Sequence, residues 1–193
     1  MSDEILVEKP KKRTNSKRKG SQFEGHIGKI LGDTLAPMKF KRSQSSGAIL
    51  GGANEKFLDN YSDEIKTMLV GDVVPTNESD VLRAEGWKFR FTIECKFYQT
   101  PDNISHLFNN SKIKGWFEQA YTDSLKLNKE PILIFKFNHT DIFCAVNDET
   151  IGSLPIKISQ QLHLVYNEPY RAITILLFKE ALLDLEWWKY RAR

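Results

Sequence analysis

Apolar and polar positions alternate strictly along "FRFTIECKFYQT", Phe89 to Thr100. Phe89, Phe91, Ile93, Cys95 and Phe97 form one set, and Arg90, Thr92, Glu94, Lys96 and Tyr98 the other. Successive side chains of a β-strand point to opposite faces, so this stretch predicts a half-buried strand with an apolar face and a charged face. Glu94 and Lys96 share the charged face, roughly 7 Å apart at about 3.3 Å per residue. Taken alone, an E-x-K pair of this kind reads as a surface ion pair, a common feature that contributes little.

The same patterning predicts the flanking elements. "SQFEGHIGKILGDTLA" has apolar residues at Phe23, Ile27, Ile30, Leu31 and Leu35, the spacing of a helix face, with Ser21 as N-cap and Glu24 beside the stripe. "FKRSQSSGAILGGANE" is rich in Ser and Gly and reads as a loop. "EKFLDNYSDEIKTML" contains a short helix, "LVGDVVPT" a short strand ended by Pro75, and "NESDVLRAEG" a turn region. Asp72 thereby falls on the strand next to Glu94. Further on come an amphipathic helix ("SKIKGWFEQAYTDSLKLN") and two strands ("PILIFKF", "DIFCAV"). "LHLVY", a buried strand "AITILLF" and a terminal helix "KEALLDLEWWKYRAR" complete the chain. No internal repeat is visible. This order predicts an α/β fold, a mixed sheet flanked by helices.

Composition narrows the class. The 193 residues suit one domain with a real core, and 40% hydrophobic and 27% charged residues are ordinary globular usage. No apolar run approaches the ~18 residues of a membrane helix, and the N-terminus lacks a signal-peptide core. The expected location is therefore cytoplasmic, not secreted and not membrane-bound. Cys95 and Cys144 read as buried thiols of a reducing compartment. The scattered His26, His106, His139 and His163 lack zinc-ligand spacing. The net charge of +3 is uneven. Residues 1–20 carry seven Lys/Arg, including Lys17, Arg18 and Lys19, and three acids; the remainder has 21 basic and 22 acidic residues. Residues 1–20 thus read as a disordered basic arm, suited to tethering nucleic acid through phosphate neutralisation, or else a solubilising or targeting tail. Residues 21–193 read as a single domain with a strand–helix extension from about residue 160.

Carboxylates from two neighbouring strands, Asp72 and Glu94, can hold a hard cation such as Mg²⁺. A cation there polarises a phosphodiester and acidifies a bound water. The Lys96 ammonium beside it can orient that water and offset charge developing on the phosphate.

In this order, "KGSQFEGHIGKIL … FKRSQSSGAIL … VGDVV … IECK" resembles the PD-(D/E)xK nuclease superfamily, and more narrowly the archaeal Holliday junction resolvases and their phage relatives. The resemblance spans roughly residues 19–145. It implies a restriction-endonuclease-like core of order αβββαβ. It matches Glu24 to the glutamate of a K-G-x-x-x-E helix, and Arg42, Ser43 and Ser46 to an R-S-x-x-S loop. Asp72 falls on a [PG]-D-[IV] strand, Glu94 and Lys96 on E-[CV]-K, and Trp116, Gln119 and Ala120 on a W-x-x-Q-A helix. The interval from Asp72 to Glu94 is longer than the family usually shows. Asp80 gives a more typical interval, but it lies in a turn-like "NESD" and lacks the preceding Gly and the following Val pair. Some two dozen residues between Ser46 and Asp72 form an insertion.

The resemblance implies a Mg²⁺-dependent endonuclease (Mn²⁺ as substitute) that cleaves branched or four-way junction DNA as a homodimer, in the host cytoplasm if phage-encoded. Asp72, Glu94 and the Cys95 backbone carbonyl would bind metal, with Glu24 completing its environment directly or through water. Lys96 would position the attacking water. Lys17, Arg18, Lys19, Arg42, Ser43, Ser46 and Gln119 would contact DNA. Alternatives are another nuclease on the same core (restriction, repair or single-strand type) and a binding module without catalysis. Trp116, Phe117 and Tyr121 read as core, and Trp187 and Trp188 as core or dimer contact.

Overall fold

The computed structural model describes residues 16–43, 60–78, 86–98, 111–152, 161–165 and 172–191. Among these, a mixed seven-stranded sheet has the order β1-β2-β4-β5-β6-β8-β7. Its strands are β1 (Phe40–Arg42), β2 (Val73–Pro75), β4 (Phe91–Tyr98), β5 (Glu130–Phe137), β6 (Ile142–Asn147), β7 (Gln161–Val165) and β8 (Ala172–Leu177). β3 (Trp87–Phe89) pairs antiparallel with β9 (Lys189–Arg191) in a separate ribbon. Among the described residues only the central β4–β5 pair is parallel, with Glu94 opposite Leu133 and Lys96 opposite Phe135. The crossover joining that pair contains helix α3 (Ser111–Leu127), as a parallel connection requires.

Helix α1 (Ser16–Thr34) and α3 cover opposite faces of the sheet. On the α1 side, Phe23, Ile27 and Leu31 pack with Val73, Phe91, Ile93 and Cys95. On the other, Ile113 and Phe117 pack with Leu133, Phe135 and Phe137. Gly28 lets α1 approach closely: a Cβ there would lie 3.6 Å from Val73 and 3.9 Å from the Lys41 backbone. Helix α2 (Asp63–Leu69) is capped by Ser62, whose hydroxyl accepts from the Ile65 N–H. Two short helices follow, α4 (Asp148–Ile151) and α5 (Phe178–Ala181).

Several expectations need correction. Helix α1 begins at Ser16, so Ser21 lies inside it and residues 16–20 belong to the helix and not to the basic arm. The Lys19 ammonium sits 5.8 Å from the centre of the Phe97 ring, which anchors this otherwise polar first turn. "FKR" is an edge strand and not a loop, because Phe40, Lys41 and Arg42 pair with Pro75, Val74 and Val73. The strand expected from Phe89 to Thr100 changes sheets at Arg90. The Arg90 N–H donates to Trp188 O at 2.9 Å, and its side chain pairs with Glu130 at 2.8 Å while lying over the Phe91 and Trp187 rings. The terminal helix is instead α5, a 3₁₀ turn (Glu186–Trp188) and β9. The Asp184 carboxylate accepts from the Glu186 and Trp187 N–H groups and fixes that turn. Trp187 and Trp188 are core residues: Trp188 stacks on Phe89, and its indole donates to Ala181 O at 2.9 Å.

Candidate metal and nuclease site

The two-residue period of β4 sends Ile93, Cys95 and Phe97 toward α1, and Thr92, Glu94, Lys96 and Tyr98 toward α3. The charged face is not open along its length: Thr92 and Glu94 are both 2% exposed. The side chain of Lys96 reaches the surface and its ammonium pairs with the Glu94 carboxylate.

Asp72 enters from the turn before β2. Gly71, at φ +93°, makes that turn, and a Cβ there would come within 3.0 Å of Ile93 O. The same Ile93 carbonyl accepts the Asp72 N–H at 2.8 Å. Asp72 O accepts the Ser43 N–H at 2.8 Å, and Asp72 Oδ2 accepts the Cys95 N–H at 2.9 Å. The aspartate is thus tied to β1 on one side and to β4 on the other. Ser43, expected at the DNA surface, is 1% exposed and acts as one of these ties.

The electrostatics follow from this enclosure. Burial, reinforced by the charge of Asp72, pushes the Glu94 carboxyl up to about 8, against the opposing pull of Lys96. Burial also raises Asp72, though the Cys95 N–H pulls the other way, and nearby Glu24 adds to the rise. Burial alone would lower Lys96, but Glu94 and Asp72 outweigh it and raise the ammonium above its ordinary value. The Cys95 thiol is pushed well up by burial and is no nucleophile. The two buried carboxylates stand beside a single ammonium, so near neutral pH Glu94 keeps a proton, and losing that proton leaves net negative charge between them. Their oxygens are the donors a hard divalent cation takes, so the pair fits such an ion.

The other expected residues are placed less closely. Glu24 interacts electrostatically with Asp72, but its carboxylate pairs with Arg42. Among the described residues no group of three His, Cys, Asp or Glu side chains comes together as a metal site. Lys17 and Arg18 are exposed on the first turn of α1, and Gln119 is exposed on α3. Ser46 and Asp80 lie outside the described residues. Asp123, passed over in the sequence, adds negative charge near Glu94 from α3. Its only signal was its place in the helix that crosses over β4.

The profile of the family described as "Phage putative PDDEXK endonuclease" matches residues 15–185. Protein D14 of Escherichia phage T5 is 24% identical over 167 residues, covering 86% of this chain and 90% of that protein. No solved structure matches the chain significantly. No helix among the described residues is long and apolar enough to cross a membrane.

Proposed function

The chain belongs to the phage PDDEXK endonuclease family, and on that premise we propose that it is a Mg²⁺-dependent endodeoxyribonuclease that cleaves branched DNA as a Holliday junction resolvase. The observation that carries the reading is the 2.9 Å hydrogen bond from the Cys95 N–H to Asp72 Oδ2, which holds the aspartate against the strand of Glu94 and Lys96.

Asp72, Glu94 and the Cys95 backbone carbonyl would hold the cation, with Mn²⁺ able to substitute. Glu24 would complete its surroundings directly or through water, and Arg42, its present partner, would turn to a DNA phosphate. When bound, the cation supplies Lewis acidity at the scissile phosphate and a water that ionises near neutral pH. Lys96, paired with Glu94 in the metal-free protein, orients the attacking water and offsets charge on the phosphate. The water oxygen bonds to phosphorus, the bond to the 3′ oxygen breaks, and that oxygen takes a proton, leaving a 5′-phosphate. Lys17, Arg18, Lys19, Arg42, Ser46 and Gln119 form the proposed DNA contacts. Two symmetric cuts require two sites, so the active species is a homodimer.

The test is cleavage of matched four-way junction, flap, single-stranded and linear duplex DNA in Mg²⁺. Preferred, paired cutting of the junction is expected. Equal cutting of junction and duplex overturns the resolvase assignment and leaves a nuclease. No cutting of any substrate, in Mg²⁺ or Mn²⁺, leaves a DNA-binding module.

A further inference from the structure

Four lysines among the described residues sit over aromatic rings: Lys19, Lys112, Lys129 and Lys189. Lys129 and Lys189 are also neutralised by carboxylates, Glu78 at 3.1 Å and Glu186 at 2.8 Å. Lys19 and Lys112 pair with no carboxylate among the described residues. The rings beneath these two belong to consecutive residues, Phe97 and Tyr98, which directly follow Lys96 and end β4.

The arrangement brackets the strand. Phe97 faces α1 and contacts Phe23 at 5.8 Å, with Lys19 above it. Tyr98 faces α3, contacts Trp116 at 5.9 Å and is 42% exposed. Lys112 Nζ lies 3.9 Å from the centre of the Tyr98 ring and donates to its hydroxyl at 2.7 Å. An ammonium has three donors, so this contact fixes the side chain and leaves donors for an anion. Tyr98 shares Lys96's face one pleat farther on, roughly 6.6 Å along the strand.

We propose that Lys112, held on Tyr98, and Lys19, held on Phe97, form a two-sided phosphate clamp that grips the DNA strand beside the bond cut at Lys96. The inference deepens the nuclease assignment and rests on it for the identity of the strand. Each ammonium rests near a ring, Lys112 with a hydrogen bond as well, so less side-chain freedom is lost when a phosphate binds. The pairing Tyr98–Lys112 was readable in the sequence only as an exposed aromatic two residues past Lys96 and a lysine one helical turn before Trp116.

The experiment measures affinity for a fluorescent four-way junction across a salt series, with chelator present so that nothing is cut. Lys112→Ala and Lys19→Ala should each weaken binding about tenfold and lower the slope of log K against log salt by about 0.9, the double variant by about 1.8. Lys112→Arg should restore the slope. Tyr98→Phe keeps the charge and ring but loses the hydroxyl, so it should keep the slope and lose less affinity than Lys112→Ala. Lys114, on the same helix but paired with Glu118, is the control, and Lys114→Ala should change the slope less. Unchanged slopes in both clamp variants, or an equal loss in Lys114→Ala, overturn the clamp. Wild-type protein that binds the junction without cutting it in Mg²⁺ overturns the resolvase assignment while the slopes still decide the clamp. Absence of junction binding overturns both.

Discussion

The carboxylate of Asp72 accepts the backbone N–H of Cys95, so the strand that carries Glu94 and Lys96 itself holds the aspartate in place. A strand N–H turned to a neighbouring side chain is a backbone donor spent on positioning, and it makes the site depend on the β2–β4 register. Changes at the turn before Asp72 should therefore be read at the metal.

Gly71 is where that dependence is most exposed. Gly71→Ala combines a positive φ with a Cβ 3.0 Å from the carbonyl that accepts the Asp72 N–H. It should cost about 1–3 kcal/mol of stability and also diminish the heat of Mg²⁺ titration. Gly86 has φ +74° but open space around its Cβ. Gly86→Ala should cost stability through the backbone alone and leave the metal heat intact. Equal metal heats for the two variants, by calorimetry, would contradict the positioning role of Gly71.

The pH dependence of the metal-free protein has a definite sign. The Glu94 carboxyl titrates near about 8 when folded, against 4.5 ordinarily, so the folded state holds its proton more tightly than the unfolded chain does. Its stabilising contribution is full below pH 4.5 and is lost as pH rises through about 8; Asp72, also raised, acts in the same direction. Melting temperature in chelator should fall across that window. Because metal displaces the proton, Mg²⁺ titration should release about one proton near pH 6 and almost none near pH 9.5, read as buffer-dependent heats. Glu94→Gln should flatten both responses.

At the far end of the core, Trp188 is 1% exposed and packs on Phe89, Phe91 and Phe178. Trp188→Ala should cost about 3–5 kcal/mol, seen in denaturant unfolding. An unchanged unfolding midpoint with a loss of dimer would instead assign this residue to a subunit contact.

The parts of the molecule legible from sequence were those whose period is set locally. The alternation through "FTIECKFY" and the helical stripe from Phe23 to Leu31 each bury one face and so write that face into the chain. The Asp72–Glu94 neighbourhood followed from two adjacent strands and was equally readable. What escaped was decided by contacts distant in sequence. Arg90 leaves its strand because the Trp188 carbonyl, nearly a hundred residues on, takes its N–H. The "EWW" segment abandons helix because Phe89 and Phe91 supply an aromatic cluster that a continuous helix would not fill. Likewise the burial of Glu94 depends on α3 lying over β4, and alternation alone predicted an exposed pair.

In the proposed site, Asp72 and Glu94 hold the metal while Lys96 acts on the water and phosphate. The most direct measurement is the Mg²⁺-dependent cleavage rate of a four-way junction by Lys96→Ala protein, alongside its metal titration and circular dichroism. A folded protein that retains most of its metal heat yet cleaves slower by about 10²-fold or more is expected, whereas Asp72→Asn and Glu94→Gln should lose metal heat and cleavage together. Wild-type cleavage by folded Lys96→Ala protein would contradict this role of Lys96 and leave Glu94 and Lys96 as a largely buried ion pair that serves the fold alone.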